Sequence, residues 1–227
     1  AETIVGGLYV KPTIWTKAGS PYIIKNSTTF LNTSLRIDAG VEVRFEKDIF
    51  FRNSSLFITG TVSKPVTFVA NNTSSYFLAG EGLTMNARHL KLQGKENSHF
   101  LNAWKGSAVS IEDIKADDFG SGTFISVFDN TDLHIADMKL TDWNGKGIEL
   151  YASSSLFLKN SDMIHVDRGV YVFLESSIDI QDSLFEANTK AIQIQTSDAV
   201  IRKTDFEQNQ YAILQDVDDG AFRLIDA

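Results

Sequence analysis

The 227-residue chain has no cysteine. That excludes disulfides, zinc–thiolate sites and a cysteine nucleophile, so the fold must hold by packing alone. Basic residues are outnumbered, 21 against 29 acidic, for a net charge of −8. A phosphate backbone needs a basic surface, so nucleic acid is not the expected partner. No apolar run approaches the roughly 18 residues of a membrane span, so no membrane insertion is expected. The opening residues, AETIVGG, are not a signal peptide. The chain starts at Ala without an initiator Met, which reads as a processed or trimmed chain. An apolar stripe at i, i+3, i+4, i+7 is also missing.

What is present is a core-forming composition, 43 % hydrophobic, spread over short alternating strands. These strands repeat. When "AVSIEDIKADDF", "DLHIADMKLTDW", "SLFLKNSDMIHV", "SIDIQDSLFEAN" and "AVIRKTDFEQN" are aligned, an apolar anchor recurs at Ile111, Ile135, Leu158, Ile180 and Ile201, with spacings of 24, 23, 22 and 21. Phe222 and Leu224 begin another copy. Met85, Ile58 and Ile37 extend the series backwards, with spacings of 26, 27 and 21. A second column holds Ile148 and Leu150, Val170 and Val172, Ile192 and Ile194, then Ile213. A third holds Ala116, Leu140, Met163, Phe185 and Phe206, five residues after each anchor.

Three strands in about 22 residues are too few for a propeller blade. The corners carry Asx residues but no hairpin turns. Asp113, Asp137, Asn160 and Asp182 follow the anchors by two residues, and Asn144, Asp167, Asn188 and Asn209 precede the second column. Such residues tolerate left-handed bends and bond to nearby backbone. The stretch LRIDAGVEVRF, residues 35 to 45, fits the same scheme: Gly40 turns the chain and the strand continues in a new sheet. The reading is an all-β parallel β-helix of about nine coils, each strand pairing in parallel one coil later at about 4.8 Å. Residues 1–34 would form an N-terminal cap and leading strands, and 35–227 the coils of a single domain. "AFRLIDA" reads as the start of a further coil, which predicts a fragment of a longer chain or self-association through an uncapped C-terminal coil.

Residues 13 to 71 resemble the opening module of secreted right-handed parallel β-helix proteins of the pectate-lyase-like fold. The matching residues are Trp15, Ser20-Pro21-Tyr22, Leu35, Ile37, Gly40, Val41, Val43, Phe45, Leu56, Ile58, Gly60, Pro65, Val66 and Phe68, with Ala39 and Val62 in place of the usual Pro and Leu. Similar modules occur in bacterial and archaeal surface proteins and in the animal cell-junction protein bark beetle. The resemblance implies secretion to the cell surface and a scaffolding or adhesive role. It brings no catalytic motif.

Catalytic readings of the residues are weak. Asn130-Thr131-Asp132 matches one piece of a pectinase pattern, but no Gly-His-Gly or Arg-x-Lys follows. Arg168, expected near Asp142 and Glu186, reads as a surface ion pair. DVDDG at 216 to 220 lacks the spacing of a calcium loop. His89, His99, His134 and His165 are scattered, without zinc spacing. No Thr-x-Thr array suggests ice binding. No cofactor, metal or catalytic residue is assigned.

Two outer surfaces stand out. If Ile148 and Leu150 point inward, Glu149 and Tyr151 point out, followed by Tyr171 and Phe173 and then Gln193. This aromatic patch suits a sugar or a protein anchor. Asp117, Asp118, Asp142, Glu186, Asp205 and Glu207 form an acidic strip that reads as solvated. Five sequons start at Asn26, Asn32, Asn53, Asn71 and Asn72. The first functional expectation is a non-catalytic extracellular module, a rigid or adhesive segment with a protein or glycan partner. The second is carbohydrate binding by Tyr151, Tyr171, Phe173, Glu149 and Gln193. A polysaccharide lyase or hydrolase ranks third.

Overall fold

The computed structural model of the chain describes residues 2–70, 76–94, 99–117, 121–195, 197–216 and 222–225. Every strand-to-strand ladder in it is parallel; the only antiparallel pairing among the described residues is an isolated bridge between Thr61 and Lys64. Parallel pairing at one-coil separation is what the repeat demands, because equivalent side chains then stack on themselves.

Three stacks result. In the first, Thr13–Trp15, Ser34–Asp38, Ser55–Thr59 and their successors reach Phe222–Ile225. Its inner column runs Trp15, Ile37, Ile58, Ala87, Ile111, Ile135, Leu158, Ile180, Ile201, and the backbone register continues from Ile201 to Leu224, ten rungs separated by nine turns. At about 4.8 Å per turn the rod is about 43 Å long. One rung differs from expectation. Met85 pairs with Leu56 and Val109, so it belongs to the neighbouring inner position, and Ala87 takes the anchor place between Ile58 and Ile111. The coil between Ile58 and Ala87 is the longest, and its extra residues pull the apparent period out of register.

The second stack contains Glu42–Phe45, Val66–Ala70 and, further on, Ala116, Leu140, Met163, Phe185 and Phe206 in one column. The third contains Ile49–Arg52, His99–Trp104, Asn144–Leu150 and Arg168–Val172, with Ile125, Ile148, Val170, Ile192 and Ile213 in register. The inner residues make one continuous core, and nearly all are fully buried. The segment expected as cap and leading strands already pairs in register: Thr3–Tyr9 lies along Tyr22–Leu31, and Trp15 stacks on Tyr22 at 4.8 Å.

Corners explain how the coil closes. Strands Ser34–Asp38 and Glu42–Phe45 pair with different neighbours, and Gly40 between them has φ 74°. The Asx residues after the anchors are left-handed: Asp113 (φ 55°), Asp137 (φ 56°), Asn160 (φ 48°) and Asp182 (φ 49°). At the other expected corner only the last two members form a ladder. Asn188, buried, accepts the Val166 amide at 2.7 Å and donates to the Met163 carbonyl at 3.0 Å; Asn209 repeats this with the Asn188 amide at 2.9 Å and the Phe185 carbonyl at 2.8 Å. Asn144 is exposed, and Asp167 sits one residue past the ladder position, which Val166 occupies. Two buried hydroxyl ladders complete the corners. Thr131, Ser154 and Ser176 form one, and Ser161 with Ser183 forms another; each of the four serine hydroxyls accepts an amide from the coil before, Thr131 giving its N–H to Ser154 and Met138 its N–H to Ser161.

Candidate functional site

The outer face of the third stack carries the candidate residues. Each strand there has an extra inward residue, Gly147, Gly169 or Ala191, just before the regular alternation begins. A Cβ at Gly147 would come 2.5 Å from the Gly169 carbonyl oxygen, so the backbones approach closely. The consequence is three outward columns. Lys146, Arg168 and Lys190 make the first, Glu149, Tyr171 and Gln193 the second, and Tyr151, Phe173 and Gln195 the third.

The structure brings Tyr151, Tyr171 and Phe173 together as expected. Tyr151 stacks on Phe173 at 4.9 Å, and Phe173 on Tyr171 at 4.8 Å. It also extends the patch in a direction the sequence reading missed. Tyr151 stacks on Phe128 at 5.0 Å and 3°, Phe128 on Trp104 at 5.6 Å and 5°, and Trp104 tilts towards Phe50 at 5.7 Å. The Phe50–Trp104 contact is diagonal and spans two coils: Phe50 is in register with Ala79 and Asn102, and Trp104 with Glu81 and Arg52 in the adjoining column. The result is an external aromatic ladder. Cations cover both ends: Arg52 lies 5.6 Å from the Phe50 ring, and Lys146 and Arg168 lie 5.3 and 5.8 Å from Tyr171.

This geometry decides how the rings can be used. A sugar stacks on an open ring face. Here the faces point along the rod, at neighbouring rings or at cations, and the ring edges point outward. Glu149 is largely covered and ion-paired with Lys146. Gln193, only 7 % exposed, accepts from Lys190 at 3.3 Å and donates to Asp216. The free polar groups of the face are therefore fewer than alternation alone suggests. Tyr171 keeps its hydroxyl 3.4 Å from the Gln195 amide oxygen.

The remaining candidates separate. Arg168 lies 3.9 Å from Asp167, and Asp142 bonds His165 at 3.1 Å instead of Arg168. Thr131 of the Asn130-Thr131-Asp132 motif is fully buried and donates to the Phe128 carbonyl, a corner role. His89 bonds Asp113 at 2.7 Å, linking two corners. Glu186 and Glu207 of the acidic strip are in register; Asp118, residues 217–220 of the acidic loop and the sequons at Asn71 and Asn72 lie outside the described residues. Among the described residues no group of three or more His, Asp or Glu side chains converges as a metal would require. Glu81, beside the ladder, is held below the ordinary Glu range, first by its hydrogen bond from Lys105 and then by the charges of Lys105 and Arg52, against the opposing effect of desolvation.

Comparison with known proteins agrees with the architecture. The family described as right handed beta helix region matches residues 99–221, more than half of the chain. No curated protein and no solved structure matches it. The parallel stacks, the three inner columns and this match together show that the chain belongs to the right-handed β-helix family.

Proposed function

We propose that the chain is a non-catalytic extracellular segment whose work is mechanical: a stiff rod that spaces or presents neighbouring parts of a surface protein. The observation that supports this best is the external aromatic ladder. A solenoid already has nearest-neighbour stacking inside. A second stack on its outer face adds resistance to bending and to peeling of single coils, and it uses ring faces that a sugar-binding site would leave open. The likeness of residues 13 to 71 to secreted modules supports the location. Incubation with a panel of plant, bacterial and animal polysaccharides should release no new reducing ends or unsaturated sugars. Depolymerisation of any of them would refute the non-catalytic reading.

Carbohydrate recognition is the second reading, and one observation favours it. Tyr171 with its hydroxyl, Lys190 and Arg168 form a mixed aromatic and basic surface beside the ladder. Glycan-array binding that disappears in Tyr171→Ala would carry it; a blank array leaves the rod.

A further inference from the structure

The outer column that carries the ladder has an internal symmetry. Along eight successive coils it runs Arg52, Glu81, Trp104, Phe128, Tyr151, Phe173, Gln195, Asp216. Its middle is four aromatic rings, and its ends carry opposite charges. A half-turn about an axis crossing the rod between Phe128 and Tyr151 maps the column onto itself. Arg52 then faces Asp216, Glu81 faces Gln195, and Trp104 faces Phe173. This is the self-complementarity that an isologous interface requires.

We infer that this face docks a second copy of the chain, side by side and antiparallel. The neighbouring columns fit the same operation. Phe50 and Leu214, at the two ends of the next column, come opposite each other, as do Asn102 and Tyr171, while Ala79, Ser126 and Gln193 of that column are buried and add no contact. Lys146 and Arg168 sit in one half of the rod, so antiparallel packing sets them against Thr123 and His99 and not against their own copies. The ring edges point outward, which suits two ladders meeting edge to edge. Arg52 is accessible: its side chain is 54 % exposed, lying over the Phe50 ring with its Nε 3.5 Å from Glu81. Asp216 is exposed as well, with one carboxylate oxygen taken by Gln193.

The size of the face sets the strength. Eight coils at about 4.8 Å and three outward columns give a patch of roughly 35 by 15 Å. That is about 500 Å² per copy and about 1,000 Å² in all, at the low end of specific interfaces. The association is therefore weak and reversible, in the micromolar range or above.

Sedimentation velocity from about 1 µM to about 1 mM tests it. The wild-type chain is expected to shift from monomer to dimer across that range. Arg52→Asp alone and Asp216→Arg alone should each raise the dissociation constant about tenfold or more, because two symmetric pairs become repulsive. The double variant Arg52→Asp/Asp216→Arg should restore dimerisation, since the exchanged charges still face each other. Phe128→Lys should leave only monomer. All three positions are at least partly exposed, and circular dichroism checks the fold; if Phe128→Lys does not fold, the charge-exchange series decides alone. A wild-type chain that stays monomeric throughout, whether or not it binds a glycan, overturns the inference. So does a double variant no better than the singles.

Discussion

Phe128→Ala tests whether the external ladder supports the fold. Phe128 is half-buried and lies between two rings, Trp104 at 5.6 Å and Tyr151 at 5.0 Å, nearly parallel to both. Each such pair is worth about 0.5–1.5 kcal/mol beyond area burial. Half-burial of a Phe side chain adds about 1 kcal/mol. The substitution should therefore cost about 2–4 kcal/mol. The assay is urea unfolding at about 1 µM, so that association does not enter, combined with hydrogen exchange of the Val127 and Leu150 amides, because a solenoid opens coil by coil. A double-mutant cycle with Tyr151→Ala isolates the stacking, with an expected coupling of about 1 kcal/mol. Phe57 is the comparison: it is 40 % exposed on another face, and its replacement by Ala should cost less than about 1 kcal/mol. A Phe128→Ala cost within about 0.5 kcal/mol, as for an ordinary surface change, or a coupling of zero would refute the structural reading of the ladder.

Two further outcomes follow from the corners and the ladder's charged flank. Asn188→Ala leaves the buried Val166 amide without its acceptor and the Met163 carbonyl without a donor. It should destabilise by about 2–4 kcal/mol in thermal or urea unfolding. A chain as stable as the wild type would show that water replaces both bonds. Glu81 is depressed chiefly by its bond from Lys105. A carboxylate depressed by folding stabilises above its unfolded pKa, and that contribution is lost as pH falls through its folded pKa. Lys105→Met should therefore move the Glu81 titration upward in NMR, and the stability difference between variant and wild type should shrink in acid. An unmoved titration would assign the depression to Arg52.

Much of this architecture is legible in the sequence, because parallel stacking repeats a side chain's environment at a nearly fixed interval. Ile111, Ile135, Leu158, Ile180 and Ile201 announce themselves that way, and so do the left-handed corners at Asp113, Asp137, Asn160 and Asp182. Where a coil is long the interval fails. Met85 satisfied an apolar anchor by type, yet the anchor rung is Ala87, small enough to look unremarkable in a linear string. The hydroxyl ladder was periodic too, at Thr131, Ser154 and Ser176, but serine is read as loop unless its burial is known.

The candidate surface shows a different limit. Alternation correctly placed Tyr151, Tyr171 and Phe173 outside. The same spacing would have reached Phe128 and Trp104, since each directly follows the inner column residue Val127 or Ala103. What no spacing could supply is the direction of the rings. Stacking at about 5 Å matches the separation of neighbouring parallel strands, so aromatic side chains repeated on one outer column pack face against face along the rod. An aromatic repeat on a parallel solenoid should therefore be read first as a brace between coils. It becomes a binding platform only where the column is interrupted and a ring face is left open. In this chain the interruption comes after Phe173, where Gln195 takes the next rung; there Tyr171 stacks on Phe173 and Lys146 and Arg168 lie over Tyr171, so the ladder ends on cations and not on an open ring.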